Sequence, residues 1–378
     1  MDVSVIVTTH NVLKFIDTCL DSLRSQTYRD FEIIVVDNNS TDGTPERIAT
    51  HYPDVQLHRL NCDLGFQGAN NLGVKLANGE YIVLLNSDTK VEPDWLEHLI
   101  QPLREQQEVM ETYSLILNEG DDYDKSTVTR CKYSLCQTIN LLHRNILLNV
   151  SEHEVDIPFY GMGCAIAFRK SEIGEPFDET YKISCDDTYL SWYVRILGKK
   201  VRLVPESVVH HAHPPLQEGR RATLRSFYYW ERNRLINMFI FFEKRTLAAL
   251  LPLLPLDYFI LIVSSYLRRK HKGGVGGSRR ACTEKYIAGK HAISSMLNAF
   301  LWLLKHRDWL WHKRTKIQLA RKVTDNAITR YMSSKFVDGR TDAGKMLNKL
   351  AKIYFWLWRI PTLEDTQKSK FINYENIS

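Results

Sequence analysis

Several patterns are missing from this chain, and each absence removes a class of protein. Its seven cysteines among 378 residues form no CxxC pair and meet no clustered histidines at zinc spacing. Neither a disulfide framework nor a structural zinc site is indicated, and a reducing compartment is expected. No GxGxxG or GxxxxGK[ST] follows the first apolar run, which argues against a nicotinamide-binding Rossmann site and against a P-loop. Met1 is followed by Asp2 within a strand pattern, without a basic and then apolar leader, so no secretory signal is expected and the N-terminal part should be cytoplasmic. There is no clean run of roughly 20 apolar residues such as a spanning helix needs. The most apolar stretch, 247–263, contains Pro252, Pro255 and Asp257; a membrane-surface or re-entrant segment is expected there, with a buried helical hairpin as the alternative. A hydrophobic share of 44% and a charged share of 25% describe an ordinary globular protein, which excludes disorder and a polytopic membrane protein as the starting point.

What is present begins with strands alternating with helices. Val3 to Thr8 is a β-branched apolar run, and Asn11 then reads as the cap of a helix through Val12, Phe15, Ile16, Cys19, Leu20 and Leu23. Phe31 to Val36 is a second buried strand, ending in Asp37-Asn38-Asn39-Ser40-Thr41-Asp42-Gly43, after which Thr44 and Pro45 suit the start of another helix. Val55 to Leu60 reads as a third strand and Tyr81 to Leu85 as a fourth. The last is apolar on both alternating faces, as a central strand covered by helices would be. This alternation predicts an α/β sheet.

Two carboxylates follow apolar runs directly, Asp37 and Asp88. In open α/β sheets ligands bind at the carboxyl ends of strands, so the pair can line one crevice. Asp88 is suited to hold a divalent cation against phosphates, and Asp37 to accept from a base N–H or ribose hydroxyl. Both also fit turn or cap roles.

Val3-Ser4-Val5-Ile6-Val7-Thr8-Thr9-His10-Asn11, Gln26-Thr27, Glu32 to Thr44, Leu64-Gly65-Phe66 with Gly68-Ala69-Asn70-Asn71-Leu72-Gly73, and Leu84-Leu85-Asn86-Ser87-Asp88-Thr89 follow one another in an order that resembles the family 2 glycosyltransferases. The likeness is greatest to their rhamnosyltransferase-like branch and extends over about the first 215 residues. It implies a GT-A fold with a Rossmann-like mixed sheet, a nucleoside diphosphate sugar donor, Mn²⁺ or Mg²⁺, and inversion at the anomeric carbon. By similarity Thr8, Asn11, Asp37, Asn70 and Asp88 would form the donor site, Asp88 through the metal. Asp63 departs from the pattern, which has Asn there.

Further on, Pro93 to Glu105 reads as a helix. Glu119 to Asp124 forms an acidic loop to which no chemistry is assigned, and Cys131 to Asn149 is compatible with strand or helix. Gly161 to Arg169 is a glycine-led strand similar to the family's second half. Asp186-Asp187 then opens a helix with Leu190, Tyr193, Val194 and Leu197 on one face. The pair stands where the family has Glu-Asp, and the resemblance makes Asp187 the general base that takes the acceptor hydroxyl's proton. The helix N-terminus is expected to keep it ionised. Tyr189 and Tyr193 replace the family's usual Asp and Arg, implying an altered acceptor surface. Val201 to Val204 reads as a strand leading to Pro205-Glu206 and His210-His211-Ala212-His213; the register puts the family's metal histidine on His211. Zinc is the weaker reading of these histidines, because the usual partner ligands are missing.

From Arg220 the pattern turns helical, with Phe227-Tyr228-Tyr229-Trp230-Glu231-Arg232-Asn233-Arg234 similar to the family's tyrosine-rich segment. Arg268-Arg269-Lys270-His271-Lys272 and Arg279-Arg280 lie beside the apolar stretch, and five of the eight tryptophans follow residue 300. Basic residues beside apolar ones favour an anionic membrane surface over nucleic acid. The expected organisation is therefore a catalytic domain over 1–215, its donor half 1–105 and its acceptor half 106–215, then a helical region over 216–378 attached to the cytoplasmic membrane face as a peripheral or monotopic element. The expected activity is transfer from dTDP-rhamnose or a UDP-sugar to a lipid-linked or cell-surface glycan; the rival is a membrane-anchored scaffold that kept the fold and lost turnover.

Overall fold

The computed structural model describes residues 1–118, 137–147, 158–161, 163–212, 224–260, 289–335 and 342–365. It divides into two units, the first containing Met1–Gln137, Leu147–Lys182 and Asp186–Pro215, the second Thr138–Ile146, Ile183–Cys185 and Leu216–Ser378.

In the first unit the alternation foreseen at the N-terminus is present as β1 (Val3–Thr9), α1 (Ile16–Arg24), β2 (Phe31–Asp37), α2 (Thr44–His51), β3 (Gln56–Arg59), α3 (Gly65–Leu76) and β4 (Tyr81–Asn86). There follow β5 (Thr89–Val91), α4 (Trp95–Glu105), β6 (Val109–Asn118), β9 (Ala165–Arg169), α5 (Asp186–Ile196) and β10 (Lys200–His211); β7 (Gln137–Ile139) and β8 (Asn145–Leu147), which pair in a separate small sheet, belong to the second unit except for Gln137 and Leu147. Eight strands form one sheet in the order β3-β2-β1-β4-β9-β6-β10-β5. β1 to β4 are parallel, β9 runs antiparallel to both β4 and β6, β10 is parallel to β6 and β5 antiparallel to β10. The sheet is thus mixed.

Strand alternation sorts the core. Val3, Val5 and Val7 point with Val83 and Leu85 toward α1 and α4, whereas Ile6, Ile34, Val36, Ile82 and Leu84 point toward α3 and α5. Both faces being covered explains why these strands read as continuous apolar runs. α3 lies so close to β1 that a Cβ on Gly73 would come within 2.4 Å of Ile6 Cγ2; only glycine fits there.

Two local expectations are corrected, and one left open is decided. The helix expected to open at Asn11 begins at Ile16; Asn11 itself is left-handed at φ 55°, and its side-chain oxygen receives the Thr41 N–H at 2.8 Å instead of capping. The strand expected to stop at Val204 continues through Pro205 to His211, because the register on β6 jumps between Val204 and Val208. That bulge absorbs a proline that cannot donate to the ladder, and Ser207 anchors it by donating to the Trp95 carbonyl at 3.1 Å while meeting Ser114 Oγ at 3.0 Å. Part of 131–149 is strand, as β7 and β8; the acidic loop 119–124, His213 and the basic stretch 268–280 lie outside the described residues.

The second unit is helical, with α6 (Leu224–Phe241), α7 (Lys244–Leu250), α8 (Gly289–Lys305), α9 (Arg307–Ala320), α10 (Asp325–Ile328) and α11 (Asp342–Leu357). The apolar stretch from Leu247 starts within α7 and continues through a 3₁₀ turn at Leu251–Leu253 into a helical segment at 254–260. Buried charges there are paired: Arg144 reaches Glu231 at 2.6 Å and Asp257 at 2.7 Å, and Arg234 reaches Glu231 at 2.8 Å. Among the described residues no helix is long and apolar enough to cross a membrane.

Candidate functional site

The parallel register aligns the carboxyl ends of three strands, Thr9 opposite Asp37 and Thr8 opposite Asn86. At the β1–β2 end the loops form a hydrogen-bonded rim. Asp37 is 2% exposed; one carboxylate oxygen accepts from Thr9 Oγ1 at 2.8 Å and the other from the Ser40 N–H at 3.1 Å. Ser40 Oγ in turn accepts from the Asn11 N–H at 2.9 Å. Asn11 is exposed and Thr8 half-buried. Asn70 is buried within α3, where its amide donates to the Phe66 carbonyl at 2.9 Å. A ligand contact from Asp37 must therefore share an oxygen already in use, which its second lone pair allows. Asp63 ties this rim to α3 by accepting from Asn38 Nδ2 at 2.5 Å and the Gly65 N–H at 2.7 Å. The Gly65 N–H holds its carboxyl below the usual range.

At the end of β4 the chain makes a tight turn, Ser87-Asp88, closed by Thr89 Oγ1 donating to the Asn86 carbonyl at 2.6 Å. β5 then pairs antiparallel with β10, Thr89 opposite His211, and the Ala212 N–H donates to the Asp88 carbonyl at 2.9 Å. This brings Asp88 Oδ1 to 3.1 Å from His211 Nε2, with the two side chains 26% and 14% exposed. Alternation along β10 sends His210 elsewhere, to Glu92 at 2.7 Å. β5 was not foreseen: three residues, Thr89–Val91, are too short to show periodicity, yet they make the Asp88–His211 pair.

The donor set fits a divalent cation. Two ligands about 2.1 Å from one ion at a right angle lie about 3 Å apart, close to the observed separation. Among the described residues no group of three or more His, Cys, Asp or Glu side chains gathers to hold a metal. One carboxylate and one imidazole leave the remaining positions for substrate oxygens and water, as in open sites for phosphate-bound Mg²⁺ or Mn²⁺.

Asp186 and Asp187 begin α5. Asp187 Oδ1 accepts from the Thr188 N–H at 2.7 Å, and the Gly163 N–H also bonds its carboxylate. A Cβ on Gly163 would sit 3.4 Å from Asp187 Cβ. The helix N-terminus does not keep this pair strongly acidic: burial and the neighbouring Asp186 charge push Asp187 up to about 7, against the pull of the N–H donors. Burial raises Asp186 as well, and Gln67 Nε2 donates to it at 3.3 Å. Cys164, next to Gly163, accepts from the Asn86 N–H at 2.9 Å, so one dipeptide connects the Asp88 turn to Asp187. Tyr189 lies edge-on to Tyr181 with ring centroids 5.4 Å apart.

A carboxylate not foreseen as special lies behind Asp187. Glu111, on β6, is fully buried; Ser191 donates to its Oε1 at 2.7 Å and the Gly161 N–H donates to Ser191 Oγ at 3.1 Å. Its Oε2 has no hydrogen-bond partner among the described residues, and burial pushes the carboxyl up to about 8. The only signal in the sequence was an acid inside an otherwise strand-like run. Within the second unit, Asn233 donates to the Ile183 and Ser184 carbonyls at 2.8 and 2.9 Å. Ser184 and Cys185, at φ 66° and 64°, precede Asp186 directly in the chain.

Residues 4–172 match the model of Glycosyl transferase family 2. Over this segment, less than half of the chain, the sequence is similar to family 2 glycosyltransferase domains. Relatives of the domain include the glycosyltransferases GlyA and GlyG of Streptococcus pneumoniae serotype 4, 34% identical over 128 residues and 33% identical over 128 residues. The amylovoran biosynthesis glycosyltransferase AmsB of Erwinia amylovora is 27% identical over 192 residues. These matches span 32%, 33% and 50% of this chain but only 18%, 40% and 59% of the respective relatives. The fold is shared with the crystal structure of GalNAc-T7 with UDP, GalNAc and Mn²⁺, at a TM-score of 0.53 and 15% identity over 79% of this chain and 57% of that one. It is shared too with S. aureus TarS 1-349 in complex with UDP-GlcNAc, at 0.51 and 16% over 94% of this chain and 88% of that one. The domain is thus of the mixed α/β, GT-A-like type that its motifs resemble.

Proposed function

We propose that this chain is an inverting, metal-dependent glycosyltransferase that moves a sugar from a nucleoside diphosphate donor to a lipid-linked or cell-surface glycan. The observation that carries the reading is one arrangement: a carboxylate–imidazole pair at a strand end, Asp88 with His211, connected through Cys164 and Gly163 to a carboxylate held near neutrality, Asp187. The rim of Thr8, Asn11 and Asp37 would receive the nucleoside, with Asn70 behind it in α3. The donor is dTDP-rhamnose or a UDP-sugar; the rhamnosyltransferase-like motif pattern and the UDP bound by GalNAc-T7 support these.

Asp88 and His211 would hold Mn²⁺ or Mg²⁺, which when bound offsets charge on the departing diphosphate. Asp187 takes the acceptor hydroxyl's proton as the oxygen attacks the anomeric carbon from the side opposite the leaving group, which inverts that centre. A carboxyl raised to about 7 accepts a proton more readily than an ordinary aspartate and is still substantially ionised at neutral pH. The Thr188 and Gly163 N–H groups orient its oxygens.

The test is a panel of nucleotide sugars scored for thermal stabilisation and hydrolysis with and without Mn²⁺. Stabilisation by at least one nucleoside diphosphate sugar, increased by metal, is expected. If none stabilises the protein in either condition, the donor-site assignment fails.

A further inference from the structure

The second unit carries two apolar faces that its own core does not use. On α8, Ile293, Leu297, Phe300, Leu301 and Leu304 are each 43–62% exposed and recur at i, i+4, i+7, i+8 and i+11, one continuous stripe. The same helix buries Ser295 and Ala299. On α11, Met346, Leu350, Ile353, Trp356 and Leu357 are each 46–75% exposed and follow nearly the same spacing, while Ala351 and Phe355 are buried. Each helix is therefore seated in the fold by small or aromatic residues and displays large aliphatic ones. Contiguous apolar patches of this kind mark interaction sites, whereas scattered single residues do not.

Charge selects the partner. The 17 residues of α8 include no Asp or Glu. In the 16 residues of α11 the single acid is Asp342, at the N-terminal end, while Lys345, Lys349 and Lys352 run one position ahead of Met346, Leu350 and Ile353. A lysine row thus flanks the apolar stripe, where the side chains can extend toward an anionic headgroup layer while the aliphatic stripe enters the acyl boundary. Trp356, the most exposed of the α11 set at 75%, is a residue type favoured at that boundary. Two copies of the chain meeting through this face would oppose like-charged rows, which disfavours a homodimer.

We infer that the outward faces of α8 and α11 attach this unit to an anionic lipid bilayer, each helix lying in the interface without crossing it. The inference rests on the proposed function only for its purpose, bringing the domain to a lipid-linked acceptor.

The full chain should co-sediment with phosphatidylcholine vesicles containing phosphatidylglycerol and far less with phosphatidylcholine alone. Leu297→Glu with Leu301→Glu, and separately Leu350→Glu with Trp356→Glu, should each lower partitioning at least ~10-fold, as expected when apolar anchors are replaced by anions. Lys345→Gln with Lys349→Gln should weaken binding to the anionic vesicles and reduce its salt dependence. All variants should keep the nucleotide-sugar stabilisation of the parent chain, which shows them folded and separates failure here from failure of the donor assignment. Equal binding to both vesicle types, no binding to either, or glutamate variants that bind like the parent would overturn the inference. So would a switch from dimer to monomer in light scattering without loss of vesicle binding.

Discussion

Replacing Glu111 by glutamine should remove a large part of the protein's loss of stability between about pH 4.5 and pH 8. The Glu111 carboxyl ionises near 4.5 when exposed and near 8 in the fold, because burial penalises the charged form. Below about pH 4.5 both states hold the proton and the group is neutral to stability. Between these values the unfolded chain releases it while the folded chain keeps it, so stability falls as pH rises, by about 1.4 kcal/mol per pH unit. Carried to pH 8 the deficit is on the order of 4–5 kcal/mol, and the part between pH 6 and pH 8 about 2–3 kcal/mol. Glutamine matches glutamic acid in shape, can still accept from Ser191, and leaves an amide where Oε2 already lacks a hydrogen-bond partner among the described residues; little packing changes. Asp186 and Asp187 add pH dependence of the same sign, so the quantity to measure is the difference between parent and Glu111→Gln. Urea unfolding at pH 6 and pH 8 should find the parent losing about 2–3 kcal/mol more than the variant over that interval. Parallel losses would mean that Glu111 is ionised in the fold, and the reasoning from its burial would be wrong.

Asp187→Asn should lower transfer by ~10²–10⁴-fold, the usual worth of a general base, with donor-induced stabilisation retained; the parent's rate should climb with pH through a midpoint about 7, where the carboxylate forms. Loss of donor binding in that variant would place Asp187 on the donor side instead. His211→Ala should raise the Mn²⁺ concentration needed for half-maximal donor stabilisation by ~10–100-fold, and an unchanged titration would remove His211 from the ligand set. Asn233→Ala leaves two carbonyls of the turn before Asp186 without their donor and should cost about 1–3 kcal/mol in urea unfolding; a change below a few tenths would show that this turn holds itself.

Much of the fold was legible because the central strands are covered on both faces. Val3–Thr9, Phe31–Asp37 and Tyr81–Asn86 could be recognised as strands from uninterrupted apolar runs, and the helices between them from their spacing. Where a segment's conformation depends on a distant partner, that signal fails. Pro205 reads as the end of a strand, but β10 continues past it because a bulge against β6 removes the need for its missing donor. Asn11 reads as a cap, but the Thr41 N–H across the rim claims its side chain.

The site divides along the same line. Asp37 and Asp88 stand out in the sequence because each follows an apolar run, which local chemistry alone dictates, whereas Asp187 was marked only by the likeness of Asp186-Asp187 to the family's Glu-Asp pair. That Asp88 meets His211 and not His210 was decided by three residues of β5 pairing antiparallel with β10, a contact between chain segments some 120 residues apart. The proton affinity of Asp187 was likewise settled in three dimensions. A helix N-terminus lowers a carboxyl's pKa, but enclosure beside Asp186 outweighs it, and enclosure is a property of the assembled fold.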